Sequence, residues 1–124
     1  MKMKNSIKDF KDLKVYKKSM DLSDQIYEIT KKFPKEETYS MVNQMRRAVN
    51  SISANIAEGN GQLFVNQEIK FLNIALGSSN ETRAWIENAF RKKYISEEEY
   101  LNLETKLIEI NKMIIALIKN NKKN

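Results

Sequence analysis

The sequence predicts an all-α protein, an antiparallel up-down-up-down four-helix bundle, and three observations carry that expectation. From Leu13 onward apolar residues recur at helical spacing, and no segment sustains the alternation of a half-buried strand. Three glycines and one proline in 124 residues are too few for a chain built on many tight turns. The periodic stretches, about 20 to 26 residues each with short breaks between them, pack most simply as antiparallel neighbours. A chain of this size is one domain with one core.

The first helix is expected from about Asp12 to Phe33, with one apolar line through Leu13, Tyr16, Met20 and Tyr27 and another through Val15, Leu22, Ile26, Ile29 and Phe33. Pro34 breaks the chain there, because its ring removes a backbone donor and restricts the preceding residue. The second helix, roughly Tyr39 to Glu58, carries Met41, Met45, Ala48, Val49, Ile52 and Ile56 at steps of three and four. Its start is open between Pro34 in a first turn and a cap at Thr38 or Ser40. Its end is expected at Gly59-Asn60-Gly61, where a glycine can take the left-handed conformation at little cost.

The third helix is expected from Gln67 to Lys92 with Asn66 as its cap. Ile69, Leu72, Leu76, Ser79, Ile86 and Phe90 form one side, and Phe71, Ala75, Ser78, Thr82, Trp85 and Ala89 another. Gly77 inside it costs about 1 kcal/mol relative to alanine, which predicts close approach of a neighbouring helix. Ser96 and Glu99 form a capping box at the start of the fourth helix, with Ile95 and Tyr100 as a hydrophobic staple. That helix runs to about Lys119 with Leu103, Leu107, Ile110, Ile114 and Leu117 toward the core. The chain thus divides into a basic N-terminal segment (1–11), the bundle (12–119) and a polar tail (120–124) expected to fray.

Leu101, Ile108 and Ile115 form a heptad series off the core stripe of the fourth helix. More apolar surface than one interior needs is expected to be covered by other copies of the chain, so these three residues are the expected oligomer interface.

Cysteine and histidine both number zero. That removes disulfides, thiolate nucleophiles, His-based acid–base catalysis and the usual zinc sites. No metal, cofactor or catalytic residue is expected. Glu58 and Glu81 cannot form a di-iron site of the kind that pairs glutamates with a Glu-x-x-His motif. Gly59-Asn60-Gly61 lacks the Lys-Ser/Thr and the preceding strand of a phosphate-cradling loop. The longest apolar run, Met113 to Ile118, is far short of the ~20 residues of a spanning helix, and no apolar region follows the opening lysines. A cytoplasmic protein without a membrane role is the expectation.

The second helix also carries a polar series, Gln44, Arg47, Ser51, Asn55 and Glu58. Such a line could hold a ligand or a phosphate. The preferred reading is a buried hydrogen-bond network fixing helix register, with Arg47 neutralised by Glu58 or by Glu81 across the seam, since partly buried charge needs a partner.

The chain carries a formal charge of +6, unevenly spread. Residues 1–20 net +5, residues 21–60 net −1, residues 61–95 net +2 with a cluster at Arg91-Lys92-Lys93, and residues 96–124 net zero. Lys11, Lys14, Lys17 and Lys18 lie mostly on the solvated side of the first helix, where an oligomer would multiply their charge against phosphates. Ordinary solubilising lysines are the plainer alternative.

The run Gln44-Met45-Arg46-Arg47-Ala48, then Ser51-Ile52-Ser53-Ala54-Asn55-Ile56-Ala57-Glu58-Gly59, and the later Phe71-Leu72-Asn73-Ile74-Ala75-Leu76-Gly77-Ser78 with Glu81, resemble the four-helix-bundle proteins encoded in intervening sequences of bacterial 23S ribosomal RNA genes. The likeness extends from Phe10 to Leu117. It implies a small bundle assembling as a ring-like homopentamer. It is also similar to the accessory variability proteins of diversity-generating retroelements, basic pentamers that bind nucleic acid and a reverse transcriptase. No catalytic residues come with the resemblance. Gln62 and Phe64 stand where family members often carry an arginine and a serine, which weakens a basic contact at that loop.

These readings converge on a non-enzymatic oligomeric scaffold that binds nucleic acid, RNA foremost, through Lys11, Lys14, Lys17, Lys18 and Arg46. The alternative is a protein–protein adaptor whose oligomer docks a partner enzyme such as a reverse transcriptase.

Overall fold

A computed structural model describes residues 1–123. Four α-helices account for most of them: α1 Lys14–Thr30, α2 Asn43–Asn60, α3 Val65–Arg91 and α4 Glu97–Lys123. Among the described residues there is no strand, only an isolated antiparallel bridge between Met3 and Phe64.

The core takes one stripe from each helix: Leu22 and Ile26 of α1, Met45, Val49, Ile52 and Ile56 of α2, Leu72, Ala75 and Ile86 of α3, and Leu103, Leu107, Ile110 and Ile114 of α4. Each large aliphatic side chain so buried contributes about 1.5–3 kcal/mol relative to exposure. Of the two expected lines of the first helix, the one from Val15 to Phe33 wins the interior, whereas Met20 of the other is exposed; α1 itself ends at Thr30, short of the expected Phe33. In α3 the buried line Leu72, Ala75, Ser79, Thr82, Ile86, Ala89 draws on both expected sides. Ser19, Thr30 and Thr82 sit buried within helices by returning their hydroxyls to the carbonyls of Val15, Ile26 and Ser78 at 2.7–2.8 Å.

Pairings across the seams set the register. Ser23 meets Asn50 and Arg46 meets Thr30 between α1 and α2. Ser51 meets Ser78 between α2 and α3, Arg83 meets Glu104 between α3 and α4, and Gln25 meets Asn102 between α1 and α4.

The boundaries depart from expectation in instructive ways. α1 begins two residues later than expected, after a 3₁₀ turn Phe10–Asp12 whose first turn is capped by Asp9 accepting from the Lys11 N–H at 2.9 Å. Neither Thr38 nor Ser40 caps α2. Instead a 3₁₀ turn Lys35–Glu37 runs into a wide π turn Thr38–Val42 that feeds α2 without a break. Asn66 does not cap α3, which starts from the extended backbone of Phe64.

The glycines correct the sequence reading most sharply. None has positive φ, and α2 passes helically through Gly59 and Asn60. A Cβ on Gly59 would lie 3.0 Å from the Phe71 Cβ and 3.1 Å from the Glu68 carbonyl oxygen, so Gly59 is where α2 and α3 approach closely. Gly77, expected to serve that purpose, has open space at its Cβ position. The left-handed residue is Lys93, φ 64°, which ends α3. There Tyr94 N–H donates to the Ala89 carbonyl and Lys93 N–H to that of Phe90, both at 2.9 Å, a Schellman closure made without glycine.

The Ser96–Glu99 capping box forms as expected, with reciprocal bonds of 2.9 and 3.0 Å, and Ile95 is buried beneath it. Residues 120–123 of the polar tail continue α4, four residues past its expected end at Lys119; Asn124 lies outside the described residues.

Candidate nucleic-acid interface

The N-terminal residues have no helical period, yet they are tied down. Val65 N–H donates to the Lys2 carbonyl and Lys4 N–H to the Leu63 carbonyl, both at 2.9 Å, and the Asn60 amide donates to the Lys8 carbonyl at 2.6 Å. The Lys4 ammonium reaches the Asn60 carbonyl at 2.8 Å and the Glu68 carboxylate at 3.0 Å. It therefore caps the end of α2, where orphan carbonyls favour a cation, while neutralising a carboxylate that α3 has buried. Only 12% of the Lys4 side chain and 11% of the Glu68 side chain remain exposed.

This strap brings the start of the chain, the α2–α3 loop and the end of α4 to one pole of the bundle. Lys2, Lys4, Lys8 and Lys123 gather there around Glu68, with Lys11 and Lys14 beside them at the start of α1 and Lys119 and Lys122 at the end of α4. Charge counted along the sequence hides this, because the net-zero block 96–124 carries its acids at the start of α4 and its lysines at the end. At the other pole Tyr94 Oη bonds Glu37 at 2.8 Å, joining the α1–α2 connection to the α3–α4 turn. The Arg91-Lys92-Lys93 cluster lies in that turn, where Glu87 pairs with Arg91 at 3.1 Å and Glu97, Glu98 and Glu99 open α4. It is balanced rather than basic.

Of the expected nucleic-acid residues, Lys11, Lys14, Lys17 and Lys18 are all exposed near the start of α1. Lys18 forms an ion pair with Glu109 of α4; the other three make none among the described residues. Arg46 is differently occupied. Its guanidinium lies 4.5 Å over the Tyr27 ring and donates to the Tyr27 carbonyl and the Thr30 hydroxyl at 3.3 and 3.1 Å, closing the C-terminal end of α1. It sits away from the lysines of the basic pole.

The polar series on α2 divides in two. Ser51 shares a 2.8 Å hydrogen bond with Ser78, and the Asn55 amide donates to the Ser51 carbonyl and hydroxyl, a small network at the α2–α3 seam. Gln44, Arg47 and Glu58 are exposed, and Glu81 accepts from the Trp85 indole at 3.3 Å. The expected neutralisation of Arg47 by Glu58 or Glu81 is not made among the described residues, because an exposed guanidinium has water for a partner. Leu101, Ile108 and Ile115 stand 52, 38 and 38% exposed on the face of α4 opposite its core stripe.

Sequence reasoning missed Lys4, Asn60 and Glu68, the residues that build the pole. Their sequence neighbourhoods carry no period or motif that pairs them.

No described helix is long and apolar enough to cross a membrane. No curated protein matches the chain. It is similar to a crystal structure of a protein of unknown function from the S23 ribosomal protein family of Bacteroides thetaiotaomicron VPI-5482, with 36% identity, a TM-score of 0.78 and coverage of 85% of this chain and 95% of that one. The model of the 23S rRNA-intervening sequence protein family matches residues 11–116. With a match over most of its length, and a fold shared with the Bacteroides protein, the chain belongs to the 23S rRNA-intervening sequence protein family.

Proposed function

We propose that the protein is a non-enzymatic, cytoplasmic bacterial scaffold that binds nucleic acid, RNA foremost, as a homo-oligomer. The observation that carries this reading is the gathering of lysines at one pole, where Lys2, Lys4, Lys8 and Lys123 surround Glu68 and the exposed Lys11, Lys14, Lys17 and Lys18 follow at the start of α1. Phosphate contacts from such a pole release counterions and give sequence-tolerant, salt-sensitive binding. Lys11, Lys14 and Lys17, exposed and without ion pairs among the described residues, are its contacts, with Lys18 joining them at the cost of its bond to Glu109.

The bundle is read as up-down-up-down and antiparallel. The seam pairings support this, since residue numbers rise on one helix as they fall on its neighbour, from 23 with 50 to 30 with 46 and from 80 with 111 to 83 with 104. The assembly proposed is the homopentamer that the family resemblance implies, and the exposed stripe Leu101, Ile108, Ile115 supports a contact between copies. A ring would repeat the basic pole once per subunit on a shared surface.

Gel-shift titration with ribosomal RNA fragments tests the reading. Binding at low salt that weakens with rising salt, and that falls about tenfold in a Lys14→Glu, Lys18→Glu protein, is expected. No retention at low salt, or retention indifferent to both substitutions, overturns it in favour of a protein-docking adaptor. Light scattering tests the assembly, with a mass several-fold that of one chain expected. Ile108→Asn with Ile115→Asn lowers that mass while circular dichroism stays helical.

A further inference from the structure

Under the N-terminal strap lies a cavity of about 700 Å³. That volume falls in the range of small-molecule sites, roughly 300–1,000 Å³. Two kinds of side chain line it. Leu13, Val65 and Leu117 contribute apolar surface to its lining, and the exposed lysines Lys2, Lys8 and Lys123 line it as well. Glu68, the one carboxylate side chain lining it among the described residues, is matched by Lys4 at 3.0 Å, which leaves Lys2, Lys8 and Lys123 as an excess of positive charge. The strap is held by four backbone and side-chain hydrogen bonds, so the cavity exists before anything enters it and little ordering remains for a ligand to bear. Met3 and Ile7 also line it while staying about half exposed, apolar surface that a bound ring would cover.

We propose that this cavity binds a phosphomonoester carried on a body with a flat or apolar face, as in a nucleoside monophosphate or the 5′-phosphorylated end of a strand. Three lysines lining one space suit a dianion, because their flexible stems can swing ammonium groups onto phosphate oxygens in charge-assisted bonds. The apolar lining has no use for a bare inorganic anion; it gives a base or similar ring a surface away from water. This site adjoins the contacts at Lys11 and Lys14 on the same basic pole, but it does not depend on the scaffold reading.

Calorimetric titration of the full chain with adenosine monophosphate, adenosine and inorganic phosphate tests it. Saturable binding of the monophosphate, about tenfold tighter than either of the other two, is expected. Lys2→Glu with Lys8→Glu should abolish that preference, and Ile7→Ser should weaken binding of the monophosphate and the nucleoside alike; all three positions are exposed, so the helical spectrum stays intact as the check on folding. Oligonucleotides differing only in a 5′-phosphate or 5′-hydroxyl separate the two sources: a preference for the phosphorylated end without affinity for the free nucleotide assigns the site to strand ends. Absence of saturable binding by both the monophosphate and the phosphorylated end overturns the proposal. Lys35→Glu, an exposed change at the opposite pole, should leave monophosphate binding unchanged.

Discussion

Gly59 and Phe71 meet at a close approach of α2 and α3: an added methyl on the glycine would stand 3.0 Å from the phenylalanine Cβ and 3.1 Å from the Glu68 carbonyl oxygen. Both obstacles belong to the rigid part of α3, so neither can swing away. Gly59→Ala should therefore force the helices apart and destabilise the fold by about 1–3 kcal/mol. Gly77→Ala should do the opposite. Nothing lies within 4 Å of its Cβ position, and the gain is helix propensity, about 1 kcal/mol. Lys93→Gly should add about 1 kcal/mol as well, by relieving a left-handed side chain at the end of α3. Urea unfolding of the three variants checks all three signs.

Lys4 and Glu68 form the least exposed ion pair described in the fold. Removing one partner leaves the other buried and uncompensated, which costs about 3 kcal/mol. Lys4→Met alone should show that loss, and Lys4→Met with Glu68→Leu should recover most of it, because the desolvation cost of both charges disappears. A double-mutant cycle by chemical denaturation measures the coupling.

The link between Glu37 and Tyr94 makes the opposite pole sensitive to pH. The Tyr94 hydroxyl, then that of Ser40, holds the Glu37 carboxyl below its ordinary range, and the same bond raises the Tyr94 phenol above its own. Stability from Glu37 is complete above the ordinary carboxylate range and is lost as pH falls through its depressed value. Stability from Tyr94 is complete below the ordinary phenol range and is lost as pH rises through its raised value. Tyr94→Phe should return the Glu37 titration toward its ordinary range, as carbon-detected NMR would register.

The parts of the fold written in local sequence were legible. The Ser96–Glu99 box needs only four residues to specify it, and the α4 core stripe from Leu103 to Ile114 follows from spacing alone. The end of α2 falls in the expected Gly59-Asn60-Gly61 run, but the close approach expected at Gly77 falls at Gly59, because it depends on what another helix presents and Phe71 across the seam has no signature readable from Gly59. Arg46 looked like one basic residue among others; only the fold turns it back onto the Tyr27 carbonyl. The basic pole was half visible, since Lys11 to Lys18 cluster in sequence while Lys119, Lys122 and Lys123 join that end only when α4 returns beside the strap.

Lys2 and Lys123 line the same cavity, so both described ends of the polypeptide emerge over the lysines. An affinity tag or fluorescent fusion attached at either would hang across that surface and blunt whatever binds there, giving a false negative in any pull-down. A label grafted into the turn after α3 would sit a bundle's length away and leave it clear.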